Sequence, residues 1–163
     1  MNFIYSLCSK ILNFLKYGHY QKSKKNFKTN FMSDGYHIEP NARFYKPKNI
    51  KIGNNVFIGE NVLINCAKGG SVSIGDNTSL AEGAKVLSWY KDSLPGFADN
   101  IIAKDVVLGK HCRIGYNAII MPGVKIGDFC KISPSSVVYS DVPSNSIVIG
   151  NPAKVIKFQF DKK

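Results

Sequence analysis

The sequence predicts an all-β parallel solenoid, and three observations carry that prediction. An aliphatic residue returns at every sixth position from Leu108 to Val138, through Ile114, Ile120, Ile126 and Ile132. A small or β-branched residue follows four positions later at Cys112, Ala118, Val124 and Cys130, and Gly109, Gly115 and Gly127 follow their aliphatic residue directly. The same register runs earlier, in IGNNVF from Ile52, IGENVL from Ile58, IGDNTS from Ile74 and LAEGAK from Leu80. A helix repeats every 3.6 residues and a strand every 2, so neither yields this spacing. One inward side chain per six residues describes a flat-sided coil of short parallel strands joined by tight turns. Three hexads close a triangular coil of 18 residues, which stacks Leu108 on Ile126, Ile114 on Ile132 and Cys112 on Cys130. Such coils bury one another's apolar faces and need several neighbours to be stable.

Residues 1–35 precede the first coil as an amphipathic helix and a basic linker. From Met1 to Gly18, Phe3, Ile4, Leu7, Cys8, Ile11, Leu12, Phe14 and Leu15 share one helical stripe, with Ser6, Ser9, Lys10, Asn13 and Lys16 elsewhere. The stripe is too short, and too interrupted by Lys10, to span a bilayer. It also lacks the basic start and small-residue cleavage site of a signal peptide. Two readings stand: residues 1–28 lie in a membrane interface, helped by Lys22, Lys24, Lys25 and Lys28, or the helix packs on the open end of the solenoid or on a partner subunit. The missing signal-peptide features lead to the expectation of a cytoplasmic protein, in the first reading at the inner face of the membrane.

The solenoid itself is expected over residues 36–157, with 158–163 as a tail. Two spacings break the hexads: Ile64 to Ile74 is ten residues and Val86 to Leu108 is twenty-two. Chain must therefore leave the coil near Ala67 to Ser71 and again, as one protruding loop, across 87–107. Solenoids accept insertions at their corners, and inserted loops commonly carry function.

Of the formal net charge of +11, +8 falls on residues 1–51 and +3 on the rest. That front end suits anionic lipid head groups or phosphorylated carriers; no nucleic-acid motif or stacking platform accompanies it, so no nucleic-acid partner is expected. The four cysteines form no CxxC pair and share no ligand spacing with His19, His37 or His111, so thiols are expected and metal chemistry is not. Packing accounts for Cys112 and Cys130 at small inward positions.

The run IGYNAIIMPGVKIGDFCKISPSSVV, then Asp141-Val142-Pro143 and the closing GNPAKVIK from Gly150 to Lys157, resembles the C-terminal half of the hexapeptide-repeat acyltransferases. The resemblance covers about residues 36–157. It implies a left-handed parallel β-helix, a homotrimer with sites in the clefts between subunits, and acetyl-CoA as donor. Pro95 to Phe97 and the small size resemble most the acetyltransferases of bacterial surface-polysaccharide synthesis. The implied reaction is O-acetylation of a sugar or lipid-linked oligosaccharide. Two other readings stay open: N-acetylation of a nucleotide-linked amino sugar, and a catalytically silent scaffold.

In the resembled enzymes a histidine of the protruding loop is the general base. This loop contains none. Aligning on Pro95 and Phe97 puts Tyr90 at that position, and aligning on the hexad from Ile74 puts Lys91 there; their reference pKa values of about 10 and 10.4 suit neither to take a proton at neutral pH. Asp92, with Tyr90 or Lys91 positioning the acceptor, and His111, reaching a cleft from a neighbouring subunit, complete the catalytic candidates. Trp89, with Tyr90, is either a sugar-stacking surface or an aromatic plug between subunits, and Asn61 matches an acceptor-binding corner asparagine. For the donor, the resemblance implies Asn117, Ser133 and Ser135 along the pantetheine arm and Lys154 and Lys157 at the phosphates. Pro134 removes one amide donor there, and Tyr139-Ser140 replaces a Thr-Lys pair.

Overall fold

The computed structural model describes residues 35–93 and 100–158. The expected amphipathic helix, most of the basic linker, Pro95 to Phe97 and the tail beyond 158 lie outside the described residues. From residue 37 the chain visits three parallel sheets in strict rotation, which makes a three-sided prism. Face A stacks His37–Ile38, Phe57–Ile58, Ser79–Leu80, Arg113–Ile114, Lys131–Ile132 and Ser146–Gly150 in parallel. Face B stacks Arg43–Tyr45, Leu63–Asn65, Lys85–Leu87, Ile119–Ile120 and Val137–Val138. Face C stacks Ile50–Ile52, Val72–Ile74, Val106–Leu108 and Lys125–Ile126.

The six-residue aliphatic series supplies the centre of each face. Ile58, Leu80, Ile114 and Ile132 on face A, Ile64, Val86, Ile120 and Val138 on face B, and Ile74, Leu108 and Ile126 on face C are all buried. Between faces, a second inward residue fills each corner: Ala42, Val62, Ala84, Ala118 and Ser136 at the A/B edge, and Val56, Thr78, Cys112, Cys130 and Ser146 at the C/A edge. Small residues are needed where two faces converge, because a larger side chain would overfill the angle. Cys112 and Cys130 thus sit where packing places them, and both are free thiols. Each donates to a carbonyl of the next coil, Cys112 Sγ to Gly127 O at 3.0 Å and Cys130 Sγ to Pro143 O at 3.1 Å. The Cys112 thiol is held above the ordinary cysteine range, first by its hydrogen-bonded neighbour Cys130 and then by burial.

The turns at two edges each carry one residue at positive φ: Asn41, Asn61, Gly83, Asn117 and Ser135 at the A/B edge, and Asn55, Asn77, His111, Phe129 and Asn145 at the C/A edge. Asparagine tolerates that conformation because its short amide bonds locally. Coils also approach closely at these turns: a Cβ on Gly109 would lie 2.5 Å from Asp128 Oδ1 and 2.6 Å from Gly127 C. The carboxylate that crowds Gly109 accepts the Lys110 N–H at 2.7 Å, and two levels earlier Asp76 Oδ1 accepts the Asn54 N–H at 2.9 Å. Asp76 also meets Lys110 Nζ at 3.0 Å. The Asn54 N–H, then Lys110, hold the Asp76 carboxyl below its ordinary value of 3.8. A carboxylate with a depressed native pKa stabilises the fold above its unfolded pKa, and that contribution fades as pH falls through the native value. Asp76→Asn is therefore expected to lower stability at pH 7 and to flatten the loss of stability below about pH 4, read by urea titration across pH.

Face A does not end on another parallel strand. After Ser146–Gly150 the chain turns and returns antiparallel as Ala153–Phe158, which covers the last edge of that sheet. The greater departure from expectation is the insertion within the twenty-two-residue spacing from Val86 to Leu108. Read from the sequence as a loop, it carries two antiparallel strands, Trp89–Asp92 and Asn100–Ala103. Tyr90 pairs with Ile102 and Lys91 with Ile101, and aromatic and β-branched cross-strand partners of this kind favour a hairpin.

Candidate active site

All the inserted chain leaves the prism at one edge, B/C. The short helix Pro47–Asn49, the turn after Asn65 and the hairpin lie there at successive levels. Hydrogen bonds tie these levels together. Asn49 Nδ2 donates to Gly70 O at 2.9 Å. Asp105 Oδ1 accepts both Ser71 N–H at 2.7 Å and Ser71 Oγ–H at 2.8 Å. Ser88, buried at the hairpin's base, donates to Gly69 O at 2.7 Å, and the Lys104 N–H donates to Ser88 O at 2.9 Å. Satisfying the buried hydroxyl fixes the root of the hairpin, because leaving it unpaired would cost about 1–3 kcal/mol.

Within this edge the structure brings Trp89 and Asn65 together. The half-buried Trp89 donates its Nε1–H to Asn65 Oδ1 at 2.9 Å, and Ala67 N–H donates to the same oxygen at 3.0 Å. Two donors on the oxygen orient the amide so that its NH2 keeps its donating capacity. Asn65 itself stands between Tyr45 and Leu87 in the outward register of face B, and Tyr45 is 47% exposed. Asn65 was not among the residues singled out from the sequence. Its only signal there is its place as the last residue before the ten-residue break in the hexads.

Residues directly opposite on a hairpin share a face, and neighbours alternate. Tyr90 and Asp92 therefore share one side of the hairpin with Ile102 and Asn100, whereas Trp89 and Lys91 share the other with Ala103 and Ile101. Asp92 can act beside Tyr90; Lys91 projects from the opposite side. All three are exposed.

The remaining candidates leave at other edges. His111 occupies the C/A edge, where its ring stacks on Phe129 with centroids 4.7 Å apart and planes 3° from parallel. Asn61, Asn117 and Ser135 occupy the A/B edge, and Ser133 lies at the end of its face A strand next to that edge. Lys154 and Lys157 are exposed on the returning strand Ala153–Phe158. The acceptor-side pair Asn61 and Trp89 is thus divided between two edges of the prism, and one chain does not gather the catalytic and donor-side candidates into one cleft. Among the described residues no group of three His, Cys, Asp or Glu side chains could hold a metal ion, and no helix is long and apolar enough to cross a membrane.

Two family models match the prism: bacterial transferase hexapeptide (six repeats) over residues 105–140 and hexapeptide repeat of succinyl-transferase over 49–86. A protein of Saccharomyces cerevisiae named as an acetyltransferase, YJL218W, is 34% identical over 130 residues, covering 77% of this chain and 64% of that protein. WcaF of Escherichia coli K12, named for acetyl transfer in colanic acid biosynthesis, is 27% identical over 120 residues, covering 74% and 64%. The chain thus spans less than two thirds of the length of these curated relatives. Among solved structures, galactoside acetyltransferase in complex with coenzyme A superposes with a TM-score of 0.75 at 28% identity, over 86% of this chain and 72% of that one. The six-residue phase, the three parallel faces and the two matched stretches agree: residues 49–86 and 105–140 of this chain carry the hexapeptide repeats of bacterial transferases.

Proposed function

We propose that this protein is a cytoplasmic O-acetyltransferase, a left-handed β-helix that moves acetyl from acetyl-CoA to a hydroxyl of a sugar in bacterial surface-polysaccharide synthesis. The observation that carries the reading is the braced B/C edge, where an oriented indole and an amide NH2 stand beside a hairpin bearing Tyr90 and Asp92. Kinship with WcaF and with the coenzyme A complex of galactoside acetyltransferase supports the substrate class and the donor.

In this reading Tyr90 offers its ring to the sugar on the side of the hairpin that carries Asp92, while Trp89, on the other side, braces the hairpin through its hydrogen bond to Asn65. Acetyl-CoA supplies the activated acyl carbon. The acceptor hydroxyl attacks that carbon, its proton passes to the Asp92 carboxylate, and the carbon–sulfur bond breaks as coenzyme A leaves. Tyr90, on the same side of the hairpin, positions the hydroxyl. Asn117, Ser133 and Ser135 line the pantetheine path, and Lys154 and Lys157 neutralise donor phosphates. Because candidates leave the prism at three edges, the complete site requires copies of the chain side by side, and a homotrimer puts an edge of one subunit against a face of the next. His111 is the second candidate base, contributed across such a cleft.

Coenzyme A at millimolar concentration is expected to raise the unfolding midpoint by several degrees; at 100 times Kd the stabilisation is about 2.7 kcal/mol. No shift with either coenzyme A or acetyl-CoA would remove the transferase reading and leave a scaffold.

A further inference from the structure

One register line on the outer surface of face A runs through His37, Phe57, Ser79, Arg113, Lys131, Ile147 and Lys157, each the Cα partner of the next. Its two ends differ in charge. At the first, His37 Nε2 lies 2.5 Å from Glu39 Oε1 and the imidazole stacks on Phe57 with centroids 5.4 Å apart. At the other, Arg113 and Lys131 are direct neighbours, and Lys157 follows beyond Ile147; all three are exposed. Adjacent strands lie about 4.8 Å apart, so these cations rise along the coil axis in steps of one and two strands. Like charges directly opposite on neighbouring strands repel. Among the described residues, Lys110 pairs with Asp76 and His37 with Glu39, and neither pair touches this end of the line. Arg113 Nη1 donates to Ser79 Oγ at 3.3 Å, which leaves four of its five N–H donors for another partner. Two positions along the chain from Arg113 and Lys131 stand Gly115, which has no side chain, and Ser133, which has a short one.

We propose that Arg113 and Lys131 form a two-rung anion-binding ladder on face A that holds a negatively charged saccharide, the acceptor of the reaction proposed above. The charge is a sugar carboxylate or a sugar phosphate; both accept the forked guanidinium and the ammonium in the same way. The saccharide assignment rests on the acetyl-transfer reading, whereas anion binding by the ladder does not. An acceptor laid along the coil axis would meet a cation at successive levels and relieve the repulsion between Arg113 and Lys131.

The test is calorimetric titration of the full chain at low ionic strength with oligogalacturonate, with glucose 1-phosphate and with neutral maltotetraose. At least one charged probe is expected to bind, with affinity falling as salt is added, and R113Q/K131Q is expected to weaken it 10-fold or more. K85Q, which removes an exposed charge from face B, should leave it unchanged. Binding of oligogalacturonate alone identifies the carboxylate, and binding of glucose 1-phosphate alone the phosphate. The ladder is overturned if neither charged probe binds, if maltotetraose binds equally well, or if R113Q/K131Q and K85Q behave alike. Thermal stabilisation by coenzyme A is measured on the same proteins. Its retention in R113Q/K131Q is expected, and its loss there would reassign the ladder to the donor and overturn the acceptor claim. If coenzyme A fails to stabilise even the unaltered chain, the transferase reading falls while probe binding still decides the ladder.

Discussion

Asp92→Asn is expected to lower the rate of acetyl transfer by roughly 10²–10⁴-fold, the range typical of a lost general base, while leaving thermal stabilisation by coenzyme A in place. The substitution keeps the shape and removes the group that takes the proton. Hairpin geometry makes the prediction selective. Tyr90 shares a side with Asp92, so Tyr90→Phe should cost less and act through acceptor positioning; Lys91 lies on the other side, so Lys91→Gln should have little effect. A single-turnover assay with acetyl-CoA and a sugar acceptor reads the chemical step directly. If His111→Ala abolishes transfer while Asp92→Asn does not, the base comes from the C/A edge of a neighbouring copy. Unchanged turnover in all four variants would leave the proposed mechanism with no base.

The second large effect concerns the prism. Ile120 is fully buried on face B, paired with Val86 on one side and Val138 on the other. Ile120→Ala removes methyl groups from the middle of a stacked column, where the backbone ladders on both sides prevent collapse around the gap. A loss of about 2–5 kcal/mol is expected, read as a lower urea midpoint with an unchanged slope. Ile156→Ala, at a side chain 60% exposed on the returning strand, should stay within about 0.5 kcal/mol of the unaltered chain. Equal effects at the two positions would mean that the six-residue series is not what holds the coils together.

The inward columns on all three faces were legible without coordinates. A coil that turns a corner every six residues must return an apolar side chain at each flat and a small one at each angle, and that demand is local. Leu108 over Ile126 and Ile114 over Ile132 follow from counting, as does the burial of Cys112 and Cys130. Breaks in the count likewise located the two insertions. What the insertion at 87–107 contains was not legible: Trp89–Asp92 pairs with Asn100–Ala103, and a four-residue strand bearing two aromatics, a cation and an anion offers no period to read.

The repeat, its phase and the family resemblance carried by its closing motif are properties of the chain alone, because each coil imposes the same steric rule on its own residues. Grouping the candidates is a different problem, since it depends on contacts between residues far apart in the chain and on which edge each turn faces. Folding sends Trp89 to Asn65 rather than to Asn61, sets Tyr90 beside Asp92 and away from Lys91, and places His111 on Phe129 at a separate edge. It also aligns Arg113 and Lys131. A six-residue pattern states that a side chain points outward but not what stands next to it, for that neighbour comes from the adjacent coil.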